Sequence, residues 1–486
     1  MSKISILHIS DLHKTEGVTY DTLLDSLCDD KERWKEENIL HPDFIVISGD
    51  LIQGAYKDED IQQQYAEVSL FLEKLVDDFL DGEKSRLIMV PGNHDVNRAC
   101  TSKAMTEIKA PDADKLESLK KEFWNPASMV RFDWKTMNFF QIDDCSIYDK
   151  RFLLFKQFYD AFYAGLRVFP TNSTKEAYVC KFEKQHIAFA CFNSCNLLDD
   201  KNVAGDIDED SITSISSELR KLETDGYLII GVWHHHYYGD PYTINYMSRD
   251  IFWSMAAKGI RMGLFGHQHK SEVADEYISP YFTDETQRKE NMLLLISSGT
   301  LFGGEKQLLP GFRRQYNIIE IERQGLSSKI DVSINVREDN SRKVNSKIPF
   351  WASRLIKFAT DNKIHKQVYV KGLDLDDILL QITKEVFGTG NYELACRILV
   401  KLGLEDKSVR DLFDDFLQKT SSRFRIEILQ EIEISSQETI LLLEAILNEN
   451  DKVVARKVLH NDQIMQHVSS DVLLRDLREQ LAQLIS

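Results

Sequence analysis

The sequence predicts an α/β domain followed by an all-α domain. Short, largely apolar runs alternate with amphipathic helical stretches from Ile4 to Val90, which is a βαβ pattern. Further apolar strands recur as far as Val336, and beyond Phe350 only helical patterning remains. At 486 residues the chain has room for two or three domains and a sizeable core.

Ile4–Ile9 is apolar on both faces, as a strand buried on both sides requires. A helix over Tyr20–Glu37 places Leu23, Leu24 and Leu27 on one face, and Phe44–Ile47 is the next strand. A long helix over residues 60–79 carries the stripe Val68, Phe71, Leu72, Leu75 and Val76, and Leu87–Val90 follows as a strand stopped by Pro91-Gly92. Residues 100–165 break the pattern. Helices over Glu117–Trp124 and the aromatic-rich Arg151–Tyr163 suggest an insertion over the site or its sheet, the aromatics reading as core before a base-stacking platform. Ala177–Phe182 and Ile187–Phe192 form a hairpin; Leu228–Val232, Ile260–Phe265, Leu293–Ser297, Tyr316–Ile321 and Ile330–Val336 complete the strands. Residues 1–340 are therefore expected to form the α/β domain. A basic linker, Ser341–Pro349, precedes a helical bundle or α-solenoid over 351–486 with seven helices between Asp374 and Ile485. A helical module of this kind suits homo-oligomerisation or a protein partner.

The composition narrows the function classes. A net charge of −18 argues against a chain that grips nucleic acid or anionic lipid through bulk charge, so a phosphate-bearing substrate needs local positive charge, which metal ions supply. Arg313-Arg314 and the linker leave room for a local nucleic-acid contact. No apolar run is long enough to span a bilayer, and the N-terminus lacks the basic and apolar regions of a signal peptide. Seven scattered cysteines without CxxC pairs fit reduced thiols in a cytoplasmic protein.

Five strand ends carry one kind of residue: Asp11 and His13; Asp50; Asn93, His94 and Asp95; His234–His236; His267 and His269. Each alone reads as a cap or a turn. Together they hold seven of the thirteen histidines, and mixed carboxylate, amide and imidazole donors suit divalent first-row metals such as Mn, Fe, Co, Ni or Zn.

The motifs DLH (Asp11–His13), GD (Gly49-Asp50), GNHD (Gly92–Asp95), a late strand-end His and GHQH (Gly266–His269) resemble, in this order, the calcineurin-like metallophosphoesterase superfamily over roughly residues 1–335. The resemblance implies a four-layer αββα sandwich with two divalent ions at the strand ends, manganese first among them. By position, Asp11, His13 and His269 would hold one ion, Asp50 would bridge, and Asn93, His267 and either His234 or His235 would hold the second. A metal-bridging hydroxide would attack phosphorus in line, His94 would face the phosphate, and Asp95 would orient the His94 ring. Leu51–Gly54 after Asp50 lacks the Arg of the phosphoprotein phosphatases, and Gln53 stands where purple acid phosphatases have a Tyr ligand. What remains resembles the cyclic-nucleotide phosphodiesterase and SbcD-like nuclease types, with ACFNSC (Ala190–Cys195), SSGTLFG (Ser297–Gly303) and GFRRQYNIIEI (Gly311–Ile321) closer to the bacterial phosphodiesterases. The leading expectation is hydrolysis of a nucleotide or other small phosphodiester. A DNA or RNA nuclease working through a partner or the helical tail is the alternative, and a catalytically silent scaffold the third reading.

Overall fold

The computed structural model describes residues 2–13, 19–123, 125, 128–170, 176–238, 245–277, 292–303, 308, 311–323, 328–341, 348–357, 359–371, 375–468 and 472–485. Most of the expected linker, residues 342–347, lies outside them. The chain divides into two compact units, residues 2–323 with 328–372, and residues 373–486.

In chain order the strands of the first unit are β1 (Ser2–Ile9), β2 (Phe44–Ile47), β3 (Leu87–Met89), β4 (Met105–Ile108), β5 (Val130–Asp133), β6 (Asn138–Ile142), β7 (Ala177–Phe182) and β8 (Ile187–Phe192). They continue with β9 (Leu228–Val232), β10 (Ile260–Phe265), β11 (Glu272–Tyr277), β12 (Met292–Ser297), β13 (Gln315–Arg323), β14 (Lys329–Asp339), β15 (Trp351–Ser353) and β16 (Ile364–Tyr369). One sheet runs β15-β14-β13-β1-β2-β3, with β16 also on β14; the other runs β11-β12-β10-β9-β8-β7. β1, β2 and β3 are mutually parallel, as are β8, β9, β10 and β12, so the ends of each set lie at one edge of its sheet.

The apolar runs explain the layering. Alternate residues of a strand face opposite sides. Ile4, Ile6, Phe44, Val46 and Ile88 pack with Ile187, Phe189, Ile230, Val232 and Leu264 between the two sheets. The intervening residues Leu7, Ile9, Ile45 and Ile47 face helices Tyr20–Trp34, Asp58–Leu80 and Leu153–Tyr163. Ala188, Ala190 and Ile229 face helices Glu209–Thr224 and Arg249–Ala256 on the far side. Four layers, helix–sheet–sheet–helix, result.

Two expectations are corrected. The segment expected as a helical insertion carries its own three-stranded sheet, β4-β6-β5, while its aromatic helix is core as expected: Phe155, Tyr159, Phe162 and Tyr163 are buried in the cluster with Phe71 and Phe79. Strand structure also continues past Phe350, because β15 and β16 both pair antiparallel with β14, so helices alone begin only at Leu375. Among its described residues the second unit is helical, from Leu375–Thr389 to Val472–Ile485, around Leu399, Phe413, Phe416, Leu442, Leu443 and Ile446, with a short helix, Asp462–Val468, that the sequence reading passed over. Five of its helices start on side-chain caps, at Asn391, Asp406, Ser421, Ser435 and Asp451, with a capping box at Ser435 and Glu438. Among the described residues no helix is long and apolar enough to cross a membrane.

Candidate functional site

The loops after β1, β2, β3, β9 and β10 converge. Asp11 and Asp50 both adopt φ 55°, and His267 and His269 adopt φ 74° and 56°, so each chain turns sharply through the left-handed region and presents its side chain at the strand end. Backbone bonds tie the turns together: Leu12 N–H donates to the Asp50 carbonyl at 2.8 Å, and Gly266 N–H to the His234 carbonyl at 3.0 Å. The two sheets join where His267 N–H donates to Asp11 Oδ2 at 3.1 Å. Gly92 and Gly266 permit this crowding. A Cβ on Gly92 would lie 2.2 Å from Asp50 N and Oδ1, and one on Gly266 would lie 1.9 Å from Ser10 Oγ.

Three overlapping groups of side chains offer ligand atoms within 4.8 Å of one another: Asp11, His13 and His269; His13, Asp50 and His94; Asp11, Asp50 and His234. His13 Nε2 and His269 Nε2 are 3.2 Å apart, and His269 Nε2 lies 3.2 Å from Asp11 Oδ1. On the other side, Asn93 Oδ1 lies 3.0 Å from His234 Nε2 and 2.9 Å from His267 Nδ1, and His234 Nε2 lies 3.3 Å from Asp50 Oδ2.

This donor set fits a cation. His234 Nδ1 faces the Ser48 carbonyl at 2.7 Å and can only donate to it. The neutral ring then turns the lone pair of Nε2 toward Asp50 Oδ2 and Asn93 Oδ1, which also present lone pairs. Acceptors facing acceptors in a buried site need a positive species between them. Without one, a proton must serve: burial disfavours charge on His234, yet the charge of Asp50 and its hydrogen bond outweigh burial and lift the pKa to about 9. Asp11 Oδ1 and His267 Nε2 are likewise buried without a hydrogen-bond partner among the described residues.

His94 stands at the rim. Its N–H donates to Asp50 Oδ1 at 2.8 Å, its ring stacks on His13 at 4.9 Å between centroids, and its Nε2 lies 3.9 Å from Asp50 Oδ2. Burial lowers its pKa against the pull of Asp50. The ring is held differently from the expectation. Its Nδ1 pairs with the Gln53 carbonyl at 2.8 Å, while the Asp95 carboxylate accepts from Gly92 N–H at 2.8 Å, Leu51 N–H at 3.2 Å and the Tyr65 hydroxyl at 3.0 Å. Asp95 fastens the loop after β3 to the loop after β2, and the backbone of Gln53 orients the ring. Burial and the charge of Asp50 push the Asp95 carboxyl up to about 7 despite these bonds.

Of the three consecutive histidines, His234 joins the carboxylates Asp11 and Asp50, while the His235 ring lies beside His267 at 4.7 Å between centroids. His235 turns its Nδ1 to Ser194 Oγ at 2.9 Å, and His236 Nδ1 accepts from Tyr237 N–H at 3.0 Å and Tyr238 N–H at 3.2 Å. The sequence reading missed Ser48, Gln53, Tyr65 and Ser194. Three of these four stand at or just after strand ends, Ser48 behind β2, Gln53 a little further along the same loop, and Ser194 behind β8, so the pattern that marked the histidines could have marked Ser194 too.

Residues 4–271, more than half of the chain, match the family profile described as calcineurin-like phosphoesterase. A dimetal phosphatase from Danio rerio is similar in structure at 12% identity, covering 69% of this chain and 96% of its own, with a TM-score of 0.36. GAP50, the anchor in the inner membrane complex of Plasmodium, is similar at 13% identity over 76% and 90%, with a TM-score of 0.34. The calcineurin-like phosphoesterase YfkN from Bacillus subtilis is similar at 13% identity over 80% and 98%, with a TM-score of 0.28. No curated protein matches the chain. Fold, converging strand ends and the family match agree: the chain belongs to the calcineurin-like phosphoesterase family.

Proposed function

We propose that the chain is a dinuclear-metal phosphodiesterase of the cyclic-nucleotide type, hydrolysing a nucleotide or other small phosphodiester. The observation that carries this reading is the buried, acceptor-rich cluster beside the half-buried ring of His94. Asp11, His13 and His269 are assigned to one divalent ion, Asn93, His234 and His267 to the other, and Asp50 to both. When bound, two such ions lower the pKa of water from about 15.7 towards about 7 and draw charge from the phosphoryl oxygens. His94 keeps one proton on Nδ1, tied to the Gln53 carbonyl. Protonated on Nε2 as well, the ring would pass that proton to the leaving oxygen; burial, by lowering the ring's pKa, makes the charged form scarcer but a stronger acid. Asp95 and Tyr65 hold the loop that carries His94 against the loop that carries Asp50. The seven unpaired cysteines support a reducing, cytoplasmic setting, and the helical unit is assigned to self-association or a protein partner.

Protein loaded with Mn²⁺ is expected to hydrolyse bis(p-nitrophenyl) phosphate, and Asp50→Asn or His94→Ala to abolish the reaction. Cyclic nucleotides, dinucleotides and single- and double-stranded DNA should then be compared. Cleavage of DNA without turnover of small diesters would replace this reading with a nuclease, and no turnover with any divalent metal would leave a binding scaffold.

A further inference from the structure

Ser194 follows β8, and its side chain is fully buried behind the histidine run. The N–H groups of His234 and His235 both donate to its Oγ, at 3.0 and 3.1 Å, and His235 Nδ1 lies 2.9 Å from the same oxygen. A hydroxyl offers two lone pairs and one proton. Backbone N–H groups can only donate, so they take both lone pairs, and the hydroxyl proton is left to point at His235 Nδ1. That nitrogen therefore accepts, and the ring hydrogen of His235 sits on Nε2. The side chain is fully buried and closely packed at its root: a Cβ on Gly205 would lie 2.5 Å from His235 Cγ and 2.8 Å from Met247 Cγ.

His234 is set the opposite way. The Ser48 carbonyl fixes hydrogen on its Nδ1 and leaves the Nε2 lone pair toward Asp50 and Asn93. Two adjacent imidazoles are thus placed in opposite tautomers by one carbonyl and one hydroxyl. His235, with Nδ1 occupied and hydrogen on Nε2, has no lone pair to give, although its ring lies 4.7 Å from that of His267.

We propose that Ser194 is a positioning residue that decides which of two neighbouring histidines serves the second ion, by tying down their backbone and holding His235 in the tautomer that cannot ligate. This inference rests on the metal reading above. Loss of the hydroxyl frees His235 to place hydrogen on Nδ1 and present a competing lone pair beside His267.

The test uses the full chain. Long-range ¹H–¹⁵N spectra of ¹⁵N-histidine-labelled, metal-free protein are expected to show His235 protonated on Nε2, its signals assigned with a His235→Gln variant. In Ser194→Ala the Nδ1–H form should appear, and calorimetry with Mn²⁺ should show one of two sites weakened by about 10- to 100-fold. Ser194→Thr keeps the hydroxyl and should restore both readouts. Ser194→Cys, of similar shape but a poor acceptor, should behave like Ser194→Ala, and it supplies the measurement if the alanine variant fails to fold. Hydrogen on His235 Nδ1 in the wild type, or an unchanged tautomer and unchanged Mn²⁺ affinity in Ser194→Ala and Ser194→Cys, would overturn the proposal alone. A wild type that shows the expected tautomers but binds no Mn²⁺ would overturn the metal reading and the ligand-selecting role with it.

Discussion

The centre is crowded enough that single atoms decide its geometry. Gly92→Ala would drive a methyl into Asp50 N and Oδ1, 2.2 Å away. The expected result is loss of Mn²⁺-dependent turnover with a destabilisation of about 1–3 kcal/mol, read by urea denaturation beside the activity assay. Gln64 acts from further off. Its Oε1 accepts from Gln53 N–H at 2.9 Å and its Nε2 donates to the Gly54 carbonyl at 3.4 Å, so it clamps the turn whose carbonyl holds His94. Gln64→Ala is expected to lower kcat by about 10- to 100-fold with KM little changed, and to cost more for alkyl than for nitrophenyl leaving groups. Equal losses for both leaving groups would remove His94 from proton delivery. At this scale the sequence reveals whatever a side chain advertises. Asp11, Asp50, His234 and His267 were legible because their chemistry is written in their type and their place after apolar runs. The carbonyls of Ser48 and Gln53 were not, since every residue has one and only the fold aims it.

Secondary elements are held to one another by buried charge as well as by apolar faces. Helix Tyr20–Trp34 meets β14 through Asp30, which accepts from Arg337 Nε at 2.9 Å, from Trp34 Nε1 at 3.0 Å and from the Tyr316 hydroxyl. Burial opposes ionisation of Asp30, but the hydrogen bonds and charge of Arg337, with those of Tyr316 and Trp34, hold its carboxyl below the ordinary range. A carboxyl depressed on folding contributes stability that is fully present above its unfolded pKa of about 3.9 and is lost as pH falls through the folded value. Arg337→Met should therefore cost about 3–5 kcal/mol at neutral pH, because the buried Asp30 carboxylate would keep only the partly exposed Arg33, 2.8 Å away, as its cationic partner. In urea titrations the gap between wild type and variant should narrow as pH drops below about 4; a gap independent of pH would rule the linkage out. Legibility at this scale follows burial. Strands sealed on both faces, such as β2, β9 and β10, announce themselves as continuous apolar runs. β11 and β16, at or beside sheet margins, are only half-buried and read as polar sequence, and the helix Glu209–Thr224 hides Ile212, Ile215, Leu219 and Leu222 among serines and charges.

Across the whole molecule, the position of β15 and β16 changes where the chain can be cut. A chain ending at residue 372 retains both strands, whereas one ending at Phe350 loses them and with them Trp351, whose buried indole donates to Ser26 Oγ at 3.0 Å. The longer piece is expected to be soluble and to keep Mn²⁺-dependent activity; the shorter one, with β14 left as a bare edge, to aggregate. Recovery of both pieces as soluble, metal-binding protein would deny the two strands that role. Ligand linkage gives a second global readout. Excess Mn²⁺ at about 100 times its dissociation constant should stabilise the folded chain by about 2.7 kcal/mol per site, reversed by a chelator in thermal melts. The order of events in folding follows from how the centre is assembled. Asp11 meets His267 across 256 residues of chain, and His8 accepts from Ser298 across 290. Contacts that distant close late, because the loop entropy must be met before they form. In refolding experiments secondary structure should return first and Mn²⁺ capture should lag behind it, so that a chain still emerging from the ribosome would hold three of the four ligands assigned to one ion, two of the four assigned to the other, and neither ion.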